Sequence, residues 1–198
     1  MTDSLRVLVV YGSVRTKRQG IRAARYVVQS LESRGHTVTL VDPAETQLPM
    51  LDRMFKEYTE ADAPAEMMRL AGQIRESDAI VVVTGEYNHL PPPALLNLLD
   101  HFLEEWYWRP SAIVSYSGGR LGGVRAASHL RDLLAEIGTV SIPTALAYGQ
   151  VRATFGEDGT PTDEHATRLA KGFSRFADEL EWYARALRAQ RAQGVPRE

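Results

Sequence analysis

Apolar runs and amphipathic stretches alternate along nearly the whole chain. Val7-Leu8-Val9-Val10-Tyr11 has no polar break, the pattern of a strand buried on both faces. Ile21, Ala24, Val28 and Leu31 then recur at helical spacing, and Gly35 stops that helix. Residues 37–41 alternate polar and apolar, which predicts a strand near a sheet edge. Residues 43–61 are irregular but rich in apolar side chains, so they are expected to cover something or to contact a partner. Asp62-Ala63-Pro64 caps a helix reaching about Glu76, and the run 79–83 predicts a central strand. Three prolines, Pro91 to Pro93, forbid regular structure before a helix expected over 93–106. That helix shows one apolar face with Leu95, Leu98, Leu99, Phe102 and Trp106, and a second with Leu96 and Leu103. It is expected to pack on the sheet and on a second subunit, with Trp106, Tyr107 and Trp108 near that contact.

Residues 112–116 predict a fourth strand, and a helix carrying Leu130, Leu133, Leu134 and Ile137 follows. A fifth strand opens at Val140 and extends past Pro143 toward Leu146. Residues 149–162, with three glycines and a proline, read as an exposed loop or hairpin. Leu169, Phe173, Phe176, Leu180, Tyr183 and Leu187 mark a last amphipathic helix. One domain is expected over 1–187, with a frayed tail over 188–198.

Five strands alternating with five helices predict a parallel sheet with helices on both faces, a three-layer α/β sandwich. In such sheets ligands bind outside the carboxyl ends of the strands, at the point where strand order reverses. In the flavodoxin-like order 2-1-3-4-5, loops 12–20, 85–92 and 117–123 leave adjacent strands there, so one ligand can touch all three.

Composition narrows the chemistry. The chain has 198 residues, a net charge of −2 and no cysteine, which excludes disulfides, thiolate ligands and cysteine nucleophiles and gives no basic surplus for nucleic acid. Twenty of the 23 basic residues are arginine, a bias with no functional account. No leader-like N-terminus and no long apolar run are present, so no membrane association and a cytoplasmic setting are expected. The five histidines are scattered without ligand spacing, so no metal is expected. His101 and His129 are expected on polar helix faces, and Glu104 and Glu105 on a solvated one.

Loop 12–20 carries Ser13 and three cations, Arg15, Lys17 and Arg18, before Gly20 and a helix start at Ile21. Helix N-termini and arginine forks both favour phosphate, whereas the plain alternative is a solvated turn. Loop 117–123 has four glycines in seven residues, so its backbone can approach a flat ligand. Loop 85–92 offers Tyr87 and His89 as planar groups and Asn88 as an amide. A phosphate cradle beside a slot for a flat ring points to a mononucleotide or a flavin. The P-loop, dinucleotide-fingerprint, zinc-protease and nucleophile-elbow motifs are all absent. With no catalytic side chain assigned, the pattern fits a protein in which a cofactor carries the chemistry.

Gly12-Ser13-Val14-Arg15-Thr16-Lys17-Arg18 after the first strand resembles the phosphate motif of the NADPH-dependent FMN reductase family. Glu86-Tyr87-Asn88 before a leucine-rich helix is similar to its second loop, and Ser117-Gly118-Gly119-Arg120 to its third. The resemblance spans about residues 5–145 and departs at Gly85, where proline is usual, and at His89, where a small residue is common. It implies non-covalent FMN, reduction by NADPH or NADH, and an acceptor such as a quinone, flavin, azo compound or metal oxyanion. It also implies homodimers or homotetramers. Carried over, it places Ser13, Arg15 and Arg18 with the backbone of Gly20 and Ile21 at the FMN phosphate. Glu86, Tyr87, Asn88 and His89 would line the ring, and Ser117, Gly119 and Arg120 its other edge. Arg120 is a candidate for the NADPH 2′-phosphate. Two alternatives stay open: a one-electron carrier of flavodoxin type, and a flavin-binding sensor without direct NADPH oxidation.

Overall fold

The computed structural model describes residues 4–196. Five strands form one parallel sheet in the order β2-β1-β3-β4-β5: β1 (Arg6–Tyr11), β2 (Thr37–Val41), β3 (Ala79–Thr84), β4 (Pro110–Tyr116) and β5 (Val140–Tyr148). The order and direction match those expected. Successive side chains point to opposite faces, so each central strand feeds two cores. Val9, Tyr11, Val81, Val83 and Val114 pack against α1 (Ile21–Glu32) and α7 (Asp163–Arg191). Leu8, Val10, Ile80, Val82 and Ile113 pack against α3 (Ala65–Glu76), α4 (Pro93–Asp100) and α5 (Val124–Glu136). β3 and β4 are buried along their whole length, as their unbroken apolar runs require.

Several expectations are corrected. The helix predicted over 93–106 stops at Asp100, and a 3-10 turn over Glu104–Trp106 follows. Trp106 therefore lies beyond the helix on which it was expected, and not at an exposed subunit contact. It is fully buried, edge-on to Phe102 at 6.2 Å, with its indole N–H donating to Leu99 O at 3.1 Å. Glu105 is buried rather than solvated, because Arg75 reaches it at 2.7 Å. His101 is buried too, with Nδ1 2.6 Å from Asn97 O, while His129 is exposed as expected. Residues 149–162 open with α6 (Val151–Thr154) and then turn back as the hairpin expected, Phe155 bridging Pro161 in antiparallel fashion; the segment is not wholly exposed, since Phe155 joins a buried aromatic cluster with Tyr26 and Tyr148. The segment 43–61 includes α2 (Pro43–Thr46) and a 3-10 turn at Phe55–Glu57. The last helix continues to Arg191, where Arg191 donates to Trp108 O at 2.8 Å and pairs with Asp78. Residues 197 and 198 of the expected frayed tail lie outside the described residues.

At the amino edge of the sheet, Arg109 is buried and donates to the carbonyl oxygens of Arg75, Ser77, Glu105 and Tyr107. Burial lowers its pKa to about 10, which leaves it charged at neutral pH. At the outer strand, a bulge around Pro143 shifts the β4–β5 register. There Arg131 donates to Ile142 O and Pro143 O at 2.7 and 3.3 Å, and the Thr144 amide donates to Glu179 at 3.3 Å.

Candidate functional site

The carboxyl ends of β1, β3 and β4 open into a cleft of about 340 Å³. Its first wall is the loop after β1, contributing Ser13, Arg15, Lys17, Arg18 and Gly20. The loop is pinned to the neighbouring strand by Gly12 N donating to Val83 O at 3.1 Å. Ser13 is buried and its hydroxyl lies 2.8 Å from the Tyr87 hydroxyl, which ties this loop to the one after β3. Arg15 extends over the Tyr87 ring at 5.9 Å. Among the described residues neither Arg15 nor Lys17 has a carboxylate partner. α1 starts directly after Gly20, its N-cap, with no acid in its first turn, so no side chain of that turn offsets the positive end of its dipole beside the cleft.

Arg18 differs from Arg15. Its guanidinium donates to Ser13 O and pairs with the buried carboxylate of Asp42, at the end of β2. The charge of Arg18 is thereby balanced within the protein, and it props the loop from behind. Asp42 follows the edge strand directly, so the strand order alone would have brought it beside loop 12–20.

The second wall comes from the loop after β3. Glu86 does not offer a free carboxylate. It accepts from the amides of Arg125 and Ala126 at 3.1 and 3.4 Å, capping the start of α5. Tyr87 and Leu90 exchange backbone hydrogen bonds around a two-residue turn, with Asn88 and His89 both at positive φ, 52° and 73°. That turn puts both side chains at an exposed tip, so neither Asn88 nor His89 lines the cleft, contrary to expectation.

The third wall is Ser117 and Gly118, after β4. Gly119 and Arg120 do not line it. The Gly119 carbonyl accepts from Gln150 N at 2.7 Å, and Arg120 is exposed outside the cleft. Ile21 likewise contributes no lining atom. The turn back into α5 needs Gly123, whose φ is 76° and whose added Cβ would meet Tyr116 O at 2.7 Å.

Three lining residues were not foreseen. Val151 and Arg152 enter from α6. Tyr116 forms the floor: its ring stacks on Tyr11 at 6.0 Å and its hydroxyl donates to the Tyr11 hydroxyl at 3.2 Å. A Cβ on Gly20 would lie 1.9 Å from Tyr116 Cζ, and one on Gly85 3.0 Å from its hydroxyl. The glycine at 85 is explained by this ring, which occupies the space a larger residue there would need. Burial pushes the Tyr116 hydroxyl well above the usual phenol range and raises that of Tyr11, so both stay neutral and neither serves as a base. Among the described residues no group of three or more His, Asp or Glu side chains is placed to hold a metal.

Loose cations, open amides and a glycine cradle fit a phosphate, and a slot bounded by Tyr87 and a glycine loop fits a flat ring. Comparisons with known proteins agree. The chain is 30% identical over 184 residues to a quinone reductase of Pseudomonas putida, covering 89% of this chain and 95% of that protein. It is 29% identical to an NAD(P)H-dependent FMN reductase of Schizosaccharomyces pombe, covering 89% and 90%. Its fold superposes on FerB, a flavoenzyme NAD(P)H:(acceptor) oxidoreductase of Paracoccus denitrificans, with a TM-score of 0.73, 28% identity and coverage of 90% and 98%. The family model of the NADPH-dependent FMN reductases matches residues 5–153, which takes in all three walls of the cleft, and the chain belongs to that family.

Proposed function

We infer that this chain is an NAD(P)H-dependent oxidoreductase that works through FMN held in the cleft, passing reducing equivalents to a quinone or a flavin. The observation that carries this is the convergence of Ser13, Arg15 and Lys17 with Tyr87 and Ser117-Gly118 in one cleft at the switch point of the sheet. Bound FMN supplies the electron chemistry, accepting from NAD(P)H and giving to the acceptor. The chain's own residues bind and orient. Ser13, Arg15, Lys17 and the amides opening α1 hold the phosphate. Tyr87, fixed by Ser13, and the backbone of 117–118 bound the ring. The Gly118 and Gly119 amides donate to no protein acceptor among the described residues, so they can stabilise negative charge developing nearby. No side chain is required as an acid. An azo compound or a metal oxyanion is a further acceptor within this reading, and a cytoplasmic location belongs to it as well. A one-electron carrier is disfavoured by the basic cleft wall.

The test is Arg15→Ala. A hydrogen bond to a charged group contributes about 1.5–3 kcal/mol, so FMN affinity should fall roughly 10- to 150-fold. Riboflavin, which lacks the phosphate, should bind almost as before. Arg15→Lys should recover part of the loss, since lysine keeps the charge but not the planar fork. Titration of apo-protein with both flavins decides: an unchanged FMN-to-riboflavin preference removes Arg15 from the site.

The assembly proposed is a homodimer or homotetramer. Its support is a set of exposed apolar side chains: Val14 and Leu90 are each 50% exposed and Met50 is 79% exposed. Sedimentation at micromolar concentration should give twice or four times the 22.1 kDa chain mass. A single species of one chain mass would rule the assembly out.

A further inference from the structure

We propose that Arg152 reads the 2′-phosphate of the nicotinamide dinucleotide and so makes the protein prefer NADPH to NADH. The inference rests on the reading of the cleft given above and deepens it.

Four cations line the cleft: Arg15, Lys17, Arg18 and Arg152. Arg18 is neutralised by Asp42. Arg15 and Lys17 share one loop with Ser13, and their two charges match one phosphate monoester, which carries about −1.5 to −2 at neutral pH. Arg152 is thus a surplus charge in a cleft whose flavin phosphate is already served.

It also comes from a different part of the fold. Arg152 stands on α6, after β5, and β3 and β4 separate β5 from β1. At roughly 4.8 Å per strand spacing, the two loops spring from positions about 14 Å apart. α6 is fixed by its backbone to the glycine loop. Val151 N donates to Ser117 O at 3.1 Å, and Gln150 N to Gly119 O at 2.7 Å. Thr154 Oγ1 donates to Gly149 O at 2.9 Å. Arg152 is therefore presented on the Ser117-Gly118 side of the cleft. It is exposed, and among the described residues no carboxylate pairs with it. Its neighbours on that side are occupied: Arg22 bonds Phe155 O and Glu157, and Arg25 bonds Glu157 O.

A free guanidinium on a rigid mount, with no internal partner, suits an anion brought by a ligand. Two monoesters are available in this chemistry, the 5′-phosphate of FMN and the 2′-phosphate of NADPH. The first has its own cations on the β1 loop, which leaves the second. Arg120, named from sequence for this role, lies outside the cleft.

The experiment uses FMN-loaded protein and the variants Arg152→Ala and Arg152→Lys. Calorimetry gives the affinities of NADP+ and NAD+, steady-state kinetics gives kcat/KM for NADPH and NADH, and apo-protein gives FMN affinity. Wild type should prefer the phosphorylated dinucleotide in both measurements. Arg152→Ala should reduce that preference roughly 10- to 150-fold, the loss of one charge-assisted hydrogen-bonded contact. Arg152→Lys should retain part of it, and FMN affinity should stay within about twofold. Equal losses for both dinucleotides would assign Arg152 to the pyrophosphate and overturn the proposal. Weakened FMN with an unchanged dinucleotide preference would place it on the flavin phosphate and overturn it too, as would a wild type without preference. A wild type that takes up no FMN fails the underlying reading instead, and is recognised before any variant is made.

Discussion

Gly20→Ala is expected to lower FMN affinity by more than about 100-fold, from one added methyl group. Gly20 has φ −67° and ψ −15°, a conformation alanine adopts freely, so backbone strain is not the cause. The obstacle is the ring of Tyr116, whose Cζ, Cε2 and Cε1 would lie 1.9, 2.1 and 2.4 Å from the new Cβ. Ordinary contact begins near 3.4 Å, so something must move by more than an ångström. The ring is buried against Tyr11 and bonded to its hydroxyl. The loop 14–19, exposed over residues 14–17, gives way more easily. Its movement carries Arg15 and the leading amides of α1 off the phosphate, removing at least two charge-assisted hydrogen bonds of about 1.5–3 kcal/mol each. Stability should drop by about 1–3 kcal/mol, the usual cost of overpacking. The double variant Gly20→Ala/Tyr116→Ala should bind FMN within about tenfold of Tyr116→Ala alone, because the three atoms nearest the added Cβ all belong to that ring. A Gly20→Ala protein that binds FMN like wild type, or a double variant that recovers nothing, would falsify this account of the cradle.

Arg109→Met should have the largest effect on stability, about 3–5 kcal/mol, with little change in FMN affinity. Methionine fills a similar volume but donates nothing to the carbonyls of Arg75, Ser77, Glu105 and Tyr107. Those oxygens close the end of α3 and the turn before β4, away from water. For a chain of this size, roughly 2–4 °C per kcal/mol gives a fall in melting temperature of about 6–20 °C. Lysine should not rescue it, since one ammonium cannot span four acceptors. Arg109 lies at the amino edge of the sheet and the cleft at the carboxyl edge, so flavin affinity should separate from stability. A melting temperature within about 3 °C of wild type would contradict the role given to the guanidinium.

The sheet was legible because its evidence is local. Val7–Tyr11 and Ala79–Val83 are unbroken apolar runs, and such runs form strands covered on both faces wherever they fall. The basic wall of the cleft was legible for the same reason, its serine and cations lying within a few residues of one strand end. What stayed hidden depends on contacts between distant segments. Tyr116 reads as one more strand residue; only the fold brings Gly20 and Gly85 against its ring. Glu86 reads as a loop carboxylate until α5 starts beneath it. The helix predicted through Trp106 fails because Phe102 and Trp106 turn into the core after Asp100, and leucine spacing alone does not show where a helix ends. Val151 and Phe155 stand four residues apart, a faint helical signal that the surrounding glycines masked.

The outer strand has a consequence for how copies of this chain can meet. An open sheet edge is a template on which another chain can add a strand. Here Pro143 has no amide to offer, Glu179 takes the amide of Thr144, and Arg131 takes the carbonyls of Ile142 and Pro143. The middle of β5 is closed to pairing by the protein's own side chains, and the bulge bends it away from a straight ladder. Growth by sheet extension, the route to fibrous aggregates, is blocked along that stretch. On this side of the molecule self-association is left to helices and loops, whose surfaces fit only a particular partner in a particular orientation.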